Sequence, residues 1–314
     1  MYFAITHLTT FTYDAPIADS VMELRMQPRS DRLQRCIQFE LKISPTARPQ
    51  QLKDYLGNFI QTFDIPGRHE RLAIKVESIV ETKLRAPIPR ALPDNEWDAL
   101  EDAIDDRDTY DMLMPSHFAK PTEALLALRD EIGVDRSKDP LTTLLAMNTA
   151  IFEKFAYIQN VTEADSPIDI ALEKRLGVCQ DFAHIMISLA REVGIPCRYV
   201  SGYLFHRRES AGPRSAVDAS HAWVEAYLPT LGWVGFDPTN NLICGQQHIR
   251  VAIGRDYADV PPSKGVFVGD AASELRVAVK VSELDEIPVD QQRHAPEIQM
   301  PTYELMSQQQ QQQQ

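Results

Sequence analysis

A cysteine, a histidine and an aspartate follow one another in this chain at positions where each could serve nucleophilic catalysis. Cys179 stands at the start of a run with helical periodicity, His221 opens a strand pattern, and Asp237 closes the next one. The unpaired N–H groups and positive dipole end of a helix favour a thiolate over a thiol. A thiolate nucleophile needs a general base, and that base needs a third group to hold its tautomer. The three residue types therefore suggest a Cys–His–Asp arrangement.

The elements that must position these residues can be read from the pattern around them. After Cys179, apolar side chains recur at helical spacing, and Gly194 and Pro196 then stop the helix. Gly177 allows a tight turn through which a substrate carbonyl could approach the backbone. The alternative is that Cys179 is a small buried hydrophobe, which is the usual role of a free cysteine.

Two predicted strands carry the other two residues. Residues 220–228 and 233–237 show strand patterns, and the short segment between them is typical of an antiparallel connection. Such a hairpin would bring His221 and Asp237 to the same end of a sheet. The cysteine helix, packed on that sheet, would complete the set.

The rest of the chain divides by its periodicity. Residues 1–84 alternate apolar and polar side chains and predict an antiparallel, sandwich-like β domain. Proline and acidic residues mark a linker with one short helix over residues 85–120. Residues 121–284 predict helices followed by strands, with a polar loop at 207–218 that could cover a site. Residues 285–314 are polar, end in glutamines, and predict a disordered tail.

Composition narrows the range of partners. The 314 residues include 32 Lys and Arg against 45 Asp and Glu, a net charge of −13, which argues against nucleic acid or an anionic membrane as partner. No apolar run approaches membrane-spanning length, and the first residues lack the pattern of a signal peptide, so we expect a cytoplasmic protein. Four scattered cysteines are too few for a disulfide framework. The expected partner is a peptide or protein substrate, and the oligomeric state is not predicted.

Four motifs carry a resemblance to a known family. They are Arg175-x-Gly-Val-Cys-Gln-Asp-Phe-Ala-His184, Arg191-x-x-Gly-Ile-Pro-Cys-Arg-Tyr-Val-Ser-Gly-Tyr203, His221-Ala-Trp-Val-Glu225 and Trp233-x-x-Phe-Asp-Pro-Thr239. Together they resemble the bacterial transglutaminase-like superfamily, whose core is papain-like. The stretch at 248–262 is similar to the end of that core, and residues 1–82 are similar to the N-terminal domain of the bacterial branch.

The resemblance implies a fold and an activity. The fold would be α+β, with an N-terminal antiparallel β domain and a papain-like core in which the nucleophile begins a helix packed on an antiparallel sheet. Cys179, His221 and Asp237 would form the triad, attack an amide carbonyl and pass through a thioester. The Cys179 N–H and a second donor, Tyr157 or Gln159, would hold the oxyanion.

One departure bears on the reaction. Animal transglutaminases that cross-link proteins carry Gln-Cys-Trp at the nucleophile, whereas this chain has Val178-Cys-Gln180. Hydrolysis by a cysteine peptidase or amidase is therefore favoured over protein cross-linking. Amine transfer, and an inactive binding or scaffold protein that keeps the fold, stay open as alternatives.

Further residues have weaker assignments. Trp223 shares a strand face with His221 and is expected to line the cleft, shield the imidazole or pack in the core. Asp181 and Asp256 are cleft candidates, and Asp256 could instead cap a turn. His184 is expected on the polar side of its helix. A zinc site from Cys179, His184 and His221 lacks the usual ligand spacing, so neither a metal nor a cofactor is expected.

Overall fold

The structure is a computed structural model that describes residues 1–93, 95–104, 107–206 and 219–286. The predicted loop at 207–218 and nearly all of the predicted tail lie outside this range. The strands are β1 (Tyr2–Leu24), β2 (Gln34–Ser44), β3 (Gln50–Lys53), β4 (Phe59–Ile65), β5 (His69–Thr82), β6 (Ala156–Tyr157), β7 (Leu176–Gly177), β8 (Cys197–Leu204), β9 (Ser220–Leu228), β10 (Gly232–Asp237), β11 (Leu242–Ile243), β12 (His248–Gly254), β13 (Ser263–Val268) and β14 (Ser273–Leu284). The helices are α1 (Glu96–Ala103), α2 (Arg107–Tyr110), α3 (Glu123–Ile132), α4 (Pro140–Lys154), α5 (Ile168–Lys174) and α6 (Cys179–Glu192).

The long strand β1 joins two halves of the first sheet. Its first half pairs with β5 and β14, and its second half pairs with β4 and β13, all antiparallel. The pairing with β5 shifts register between Thr12 and Ile17, and Asp19 adopts a positive φ of 47°. A strand that bends in this way can serve two sheet layers. The apolar side chains of the two halves, such as Ile17, Phe63 and Ile74, enclose one core. The predicted N-terminal antiparallel β domain is confirmed.

Two strands of the first sheet come from the far end of the chain. Residues 263–284, which the sequence division placed with the core domain, form β13 and β14 and pair with β1. These partners lie more than 200 residues apart in sequence, so no local pattern signals their pairing. The first domain is therefore built from both ends of the described chain.

The second sheet has the strand order β11-β10-β9-β8-β12 and is antiparallel throughout. Helix α6 packs on β8 and β9, and α4 packs on α6. A large apolar core fills this layer, with Phe182, Met186 and Leu189 of α6 facing Val224 and Phe236 of the sheet. The predicted papain-like layout of a nucleophile helix on an antiparallel sheet is thus confirmed.

Helix boundaries follow from their caps. Val178 is extended and Cys179 is the first helical residue of α6, as predicted. Helix α3 begins at Glu123, because the Thr122 side chain accepts the Leu125 N–H and fixes the cap there. None of the described helices combines the length and the apolar character that a membrane span requires.

Candidate active site

Cys179 occupies the first position of α6 and is half-buried. The N–H groups of a first helical turn have no acceptor within the helix. The start of a helix therefore carries partial positive charge, and Cys179 occupies that position. The N–H of Cys179 itself is available in principle to an oxyanion formed beside the sulfur.

Asp181 anchors the start of this helix from below. Its Oδ2 accepts the N–H of Val178 at 2.8 Å and the hydroxyl of Thr162 at 2.7 Å, and the side chain is 2% exposed. A Cβ on Gly177 would lie 2.7 Å from the same oxygen, so the glycine admits the carboxyl. Burial raises the pKa of Asp181. The structure therefore places Asp181, a predicted cleft residue, at the start of the helix, where its carboxylate binds the Val178 N–H.

His221 and Asp237 meet across the β9–β10 hairpin. Phe236 pairs with Val224, so His221 and Asp237 stand diagonally opposed on neighbouring strands. The His221 Nε2 lies 2.8 Å from Asp237 Oδ2, and the two side chains are 4% and 0% exposed. The structure thus brings together two of the three predicted catalytic residues in a direct, buried hydrogen bond.

Burial alone would lower the pKa of His221, since it disfavours the charged ring. The charge and hydrogen bond of Asp237 overcome this, and with the contribution of Cys179 they raise the pKa of His221 to about 10. Burial likewise opposes the ionised form of Asp237, but His221 and a second histidine hold its pKa below the ordinary value. At neutral pH the pair is therefore an imidazolium beside a carboxylate.

The Cys179 side chain interacts with the same imidazole and contributes to its raised pKa. Since Nε2 is taken by Asp237, Nδ1 is the nitrogen left for the thiol. Nδ1 makes no hydrogen bond of standard geometry to any described residue, so the contact with sulfur is looser than a formed hydrogen bond. Catalytic contacts are often long in a resting site and tighten when substrate binds.

Two residues that the sequence did not single out complete the surroundings of Asp237. His248 Nε2 lies 3.2 Å from Asp237 Oδ2, and Asn240 Nδ2 donates to the same oxygen at 2.7 Å. Oδ1 accepts the N–H groups of Thr239 and Asn240 at 3.1 and 3.2 Å. The last two bonds form an Asx turn, for which Asp237-Pro-Thr-Asn240 was a readable signal. For His248, no spacing in the sequence gave one.

The same histidines and aspartate are the residues that could hold a metal. Within the described residues, His221, Asp237 and His248 form a buried group whose ligand atoms lie within 4.8 Å of one another. The 2.8 and 3.2 Å contacts to Asp237 Oδ2 are hydrogen bonds, which need protons on the nitrogens that a metal would occupy. The donor set as arranged fits a proton-bearing network.

The remaining cleft candidates separate in the structure. Trp223 is fully buried, with its ring tilted against His221 at 6.0 Å between centroids, so it shields the imidazole. Asp256 is 1% exposed and accepts the N–H groups of Phe118 and Ala258 at 2.7 and 2.9 Å. Its carboxyl caps the Tyr257–Asp259 turn, which was the alternative assignment.

The two oxyanion candidates lie in and just beyond β6, the strand that pairs with β7 ahead of Cys179. Tyr157 belongs to β6, which runs parallel to β7 and ends opposite Gly177, and its ring stands edge-on to Phe182 at 6.5 Å. Gln159 is exposed, one residue beyond the Ile158 N–H bond to the Gly177 carbonyl. The second oxyanion donor stays a prediction.

His184 is buried at 1% exposure, contrary to the polar position expected for it. Its ring stacks on Phe118 at 5.3 Å, and its Nε2 accepts the Tyr257 N–H at 3.2 Å. Loops beyond the helix cover this face, which the helix pattern alone did not reveal. His184 lies apart from the His221 network and packs α6 against the 117–118 and 256–257 turns.

Comparisons with known proteins agree with this architecture. Residues 127–238 match a family model described as the transglutaminase-like superfamily, and residues 3–81 match one described as the bacterial transglutaminase-like N-terminal region. An uncharacterized protein of Mycobacterium leprae is 33% identical over 280 residues, which cover 89% of this chain and 98% of the relative.

Two further similarities concern proteins with a described activity. A protein-glutamine gamma-glutamyltransferase of Pseudomonas aeruginosa is 32% identical over 143 residues, which cover 44% of this chain and 21% of the relative. A Cytophaga hutchinsonii structure described as a candidate cysteine protease superposes with a TM-score of 0.71 at 22% identity, covering 92% of this chain and 93% of that one. At this identity the second similarity concerns the fold.

Proposed function

Since the chain belongs to the transglutaminase-like superfamily, we propose that it is an enzyme that cleaves amide or peptide bonds through a thioester on Cys179. The observation that carries the proposal is the buried 2.8 Å bond between His221 and Asp237, with Cys179 at a helix start beside the same ring. Carboxylate, imidazolium and thiolate stand in the order that acyl transfer requires.

The chemistry follows from the charges at rest. The Cys179 thiolate attacks the carbonyl carbon, and the carbonyl electrons move to oxygen, which the Cys179 N–H stabilises. When the tetrahedral species collapses, the C–N bond breaks and the imidazolium of His221 gives its proton to the departing amine. Asp237 holds the ring throughout. A thioester and a neutral imidazole remain.

The second half of the cycle restores the resting state. Neutral His221 removes a proton from water as its oxygen attacks the thioester carbon. The C–S bond then breaks, which releases the acid and returns the thiolate beside an imidazolium. An amine that attacks in place of water gives a new amide by the same steps.

Hydrolysis is the favoured outcome. The chain has Gln180 where animal transglutaminases that cross-link proteins carry tryptophan, and the Gln180 side chain donates to the Ala164 carbonyl at 2.8 Å. This bond ties the loop before α5 to the start of α6. The similarity to a protein-glutamine gamma-glutamyltransferase supports amine transfer as the second candidate.

Trapping the acyl-enzyme tests the proposal. The protein is mixed with an activated ester and with peptide amides, quenched in acid and analysed by intact mass and peptide mapping. We expect one acyl group on Cys179 and none in Cys179→Ala. Addition of a primary amine then measures how the thioester divides between water and amine, and a product that is mainly amide would favour the second candidate.

A folded protein that forms no adduct on Cys179 would contradict enzymatic activity and favour the binding or scaffold alternative. Cys36 and Cys197 serve as internal controls, because burial raises the pKa of each thiol to about 12. Both should stay unmodified in the same sample. The predicted peptide or protein partners and cytoplasmic location are part of this proposal and rest on the sequence.

A further inference from the structure

His248 is the first residue of β12, an edge strand of the second sheet, and its side chain contacts Asp237 of the candidate triad. Its Nε2 lies 3.2 Å from Asp237 Oδ2, and the residue is 8% exposed. A buried histidine that contacts a catalytic carboxylate either only fills space in the core or also holds the carboxylate in its orientation. The contacts of its other ring nitrogen distinguish these roles.

The tautomer of His248 is set by the backbone. The Gly245 N–H donates to Nδ1 at 3.3 Å, so Nδ1 is an acceptor and the proton stays on Nε2. Nε2 therefore donates to Asp237. With His221 and Asn240, three donors converge on a single carboxylate oxygen.

Aromatic packing limits the rotation of both imidazoles. The Trp223 ring stands edge-on to His248 at 5.3 Å and tilted to His221 at 6.0 Å. The indole thus packs against both of the rings that share Asp237. Either histidine would have to displace a fully buried tryptophan in order to turn.

The first domain holds the strand that carries His248. Gln34 exchanges two hydrogen bonds of 2.8 Å with the N–H and carbonyl of Arg250. Asn58 does the same with Ile253, at 2.9 and 2.7 Å. Both amides are buried, so they complete the outer edge of β12 as a further strand would.

We propose that His248 is a positioning residue that orients the Asp237 carboxylate toward His221, and that the N-terminal domain holds it in place through Gln34 and Asn58. This inference rests on the proposed function, because it needs Asp237 to act in the triad. It gives the N-terminal domain a part in the site without any contact to substrate.

Other charged groups line the cavity beside this network. Glu225 lies in the cavity beside His248 and pairs with Arg198 at 2.6 Å and with Arg250 at 3.4 Å. Arg85 faces the same cavity and donates to the carbonyls of Leu231 and Trp233. Lys83 lines the cavity as well. Asp237 is thus the carboxylate that His248 contacts directly.

The test measures Cys179 alkylation by iodoacetamide from pH 4 to 10 in the full chain, together with the rate of acylation by an activated ester. In His248→Ala we expect acylation to fall about a hundredfold, because a small misplacement in a triad costs that much. The pH at which alkylation rises should move upward by about one unit, since a poorly held carboxylate stabilises the imidazolium less. His248→Gln keeps an N–H donor and should recover part of both effects.

His7→Ala is the matched control. His7 is a buried histidine that hydrogen-bonds the Tyr203 hydroxyl at 2.8 Å in the interface between the domains, away from Asp237. Its replacement should lower the melting temperature and leave the alkylation profile of Cys179 unchanged. The double variant Gln34→Leu/Asn58→Leu should shift the profile in the same direction as His248→Ala.

The possible results distinguish failure of the proposed enzymatic function from failure of the role proposed for His248. If the wild-type protein shows no accelerated alkylation of Cys179 below neutral pH, the proposed function fails. If the wild type shows it, and folded His248→Ala keeps the same profile and acylation rate or His248→Gln recovers neither effect, His248 is a packing residue and the inference is overturned.

Discussion

Two buried histidines of the core domain, His184 and His221, lie near aspartates but differ in charge at neutral pH. The His184 ring is neutral and the His221 ring is positively charged. Burial lowers the pKa of His184 to about 3, despite the nearby charge of Asp256. Burial also opposes the protonation of His221, yet Asp237 and Cys179 raise its pKa to about 10. The neighbourhood of an acid is therefore insufficient to charge a buried ring.

The difference lies in what each carboxylate binds. The two carboxylate oxygens of Asp256 accept the N–H groups of Phe118 and Ala258, and the Tyr257 N–H donates to Nε2 of His184. Asp237 presents Oδ2 directly to His221 Nε2. Asp237 also caps a turn through Oδ1, but its Oδ2 bonds directly to the ring and favours an imidazolium that can serve catalysis.

The largest expected effect is that of removing the charge from one aspartate at a time. Asp237→Asn should lower the rate of Cys179 acylation about 10⁴-fold, because the imidazolium loses its partner and the ring its orientation. Asp256→Asn should leave that rate unchanged and lower the free energy of unfolding by about 1–3 kcal/mol through a weakened turn. Ester acylation and urea denaturation measure the two. An equal loss of acylation in both variants would show that Asp237 and Asp256 do not differ in their importance for the reaction.

The two histidines should also change stability with pH in opposite directions. Unfolded histidine titrates near pH 6.5. His184 resists protonation when folded, so its neutral burial costs stability as pH falls from about 6.5 toward 3, and His184→Gln should lose less stability than the wild type over that range. The measurement is the difference in unfolding free energy between variant and wild type at each pH.

For His221 the sign reverses, because the folded pKa lies above the unfolded one. The ion pair with Asp237 contributes fully below about pH 6.5 and is lost as pH rises toward about 10. The deficit of His221→Gln should therefore be largest in mildly acidic solution and shrink with increasing pH. A deficit that stays constant from about pH 6.5 to 10 would show that His221 is buried in its neutral form.

The smallest expected effect concerns Asp181, which belongs with Asp256 by its bonding. Both of its hydrogen bonds reach a single oxygen, and burial raises the pKa of its carboxyl. An amide oxygen can accept the same two donors, so Asp181→Asn should change the free energy of unfolding by less than about 1 kcal/mol. Asp181→Ala leaves the Val178 N–H unpaired and should cost about 1–2 kcal/mol. Thermal unfolding compares them; an equal loss in both would mean that charge, not bonding, is needed there.

Much of the architecture was readable from the chain because its signals are local. Alternating side chains predicted the first domain, and helical spacing with Gly194 and Pro196 predicted the nucleophile helix. The hairpin of β9 and β10 follows from two strand patterns and a short turn, and it was enough to bring His221 to Asp237. Each of these signals acts over a few residues, where propensity and periodicity operate.

What escaped prediction depends on contacts between distant segments. Nothing near residue 248 indicates that its imidazole will meet Asp237, and nothing in β14 indicates that it will pair with β1. The acids at 181 and 256 were read as cleft residues because the sequence reports charge. The sequence does not show which backbone N–H groups will donate hydrogen bonds to these carboxylates in the folded protein.

At neutral pH His221 is an imidazolium that is paired with Asp237 and interacts with the Cys179 side chain. The most direct test is ¹⁵N NMR of the histidine side chains from pH 5 to 11, with His221 assigned by the loss of its signals in His221→Gln. We expect both ring nitrogens of His221 to be protonated at pH 7 and the ring to titrate near pH 10. A neutral His221 ring at pH 7, titrating at or below 6.5, would contradict it.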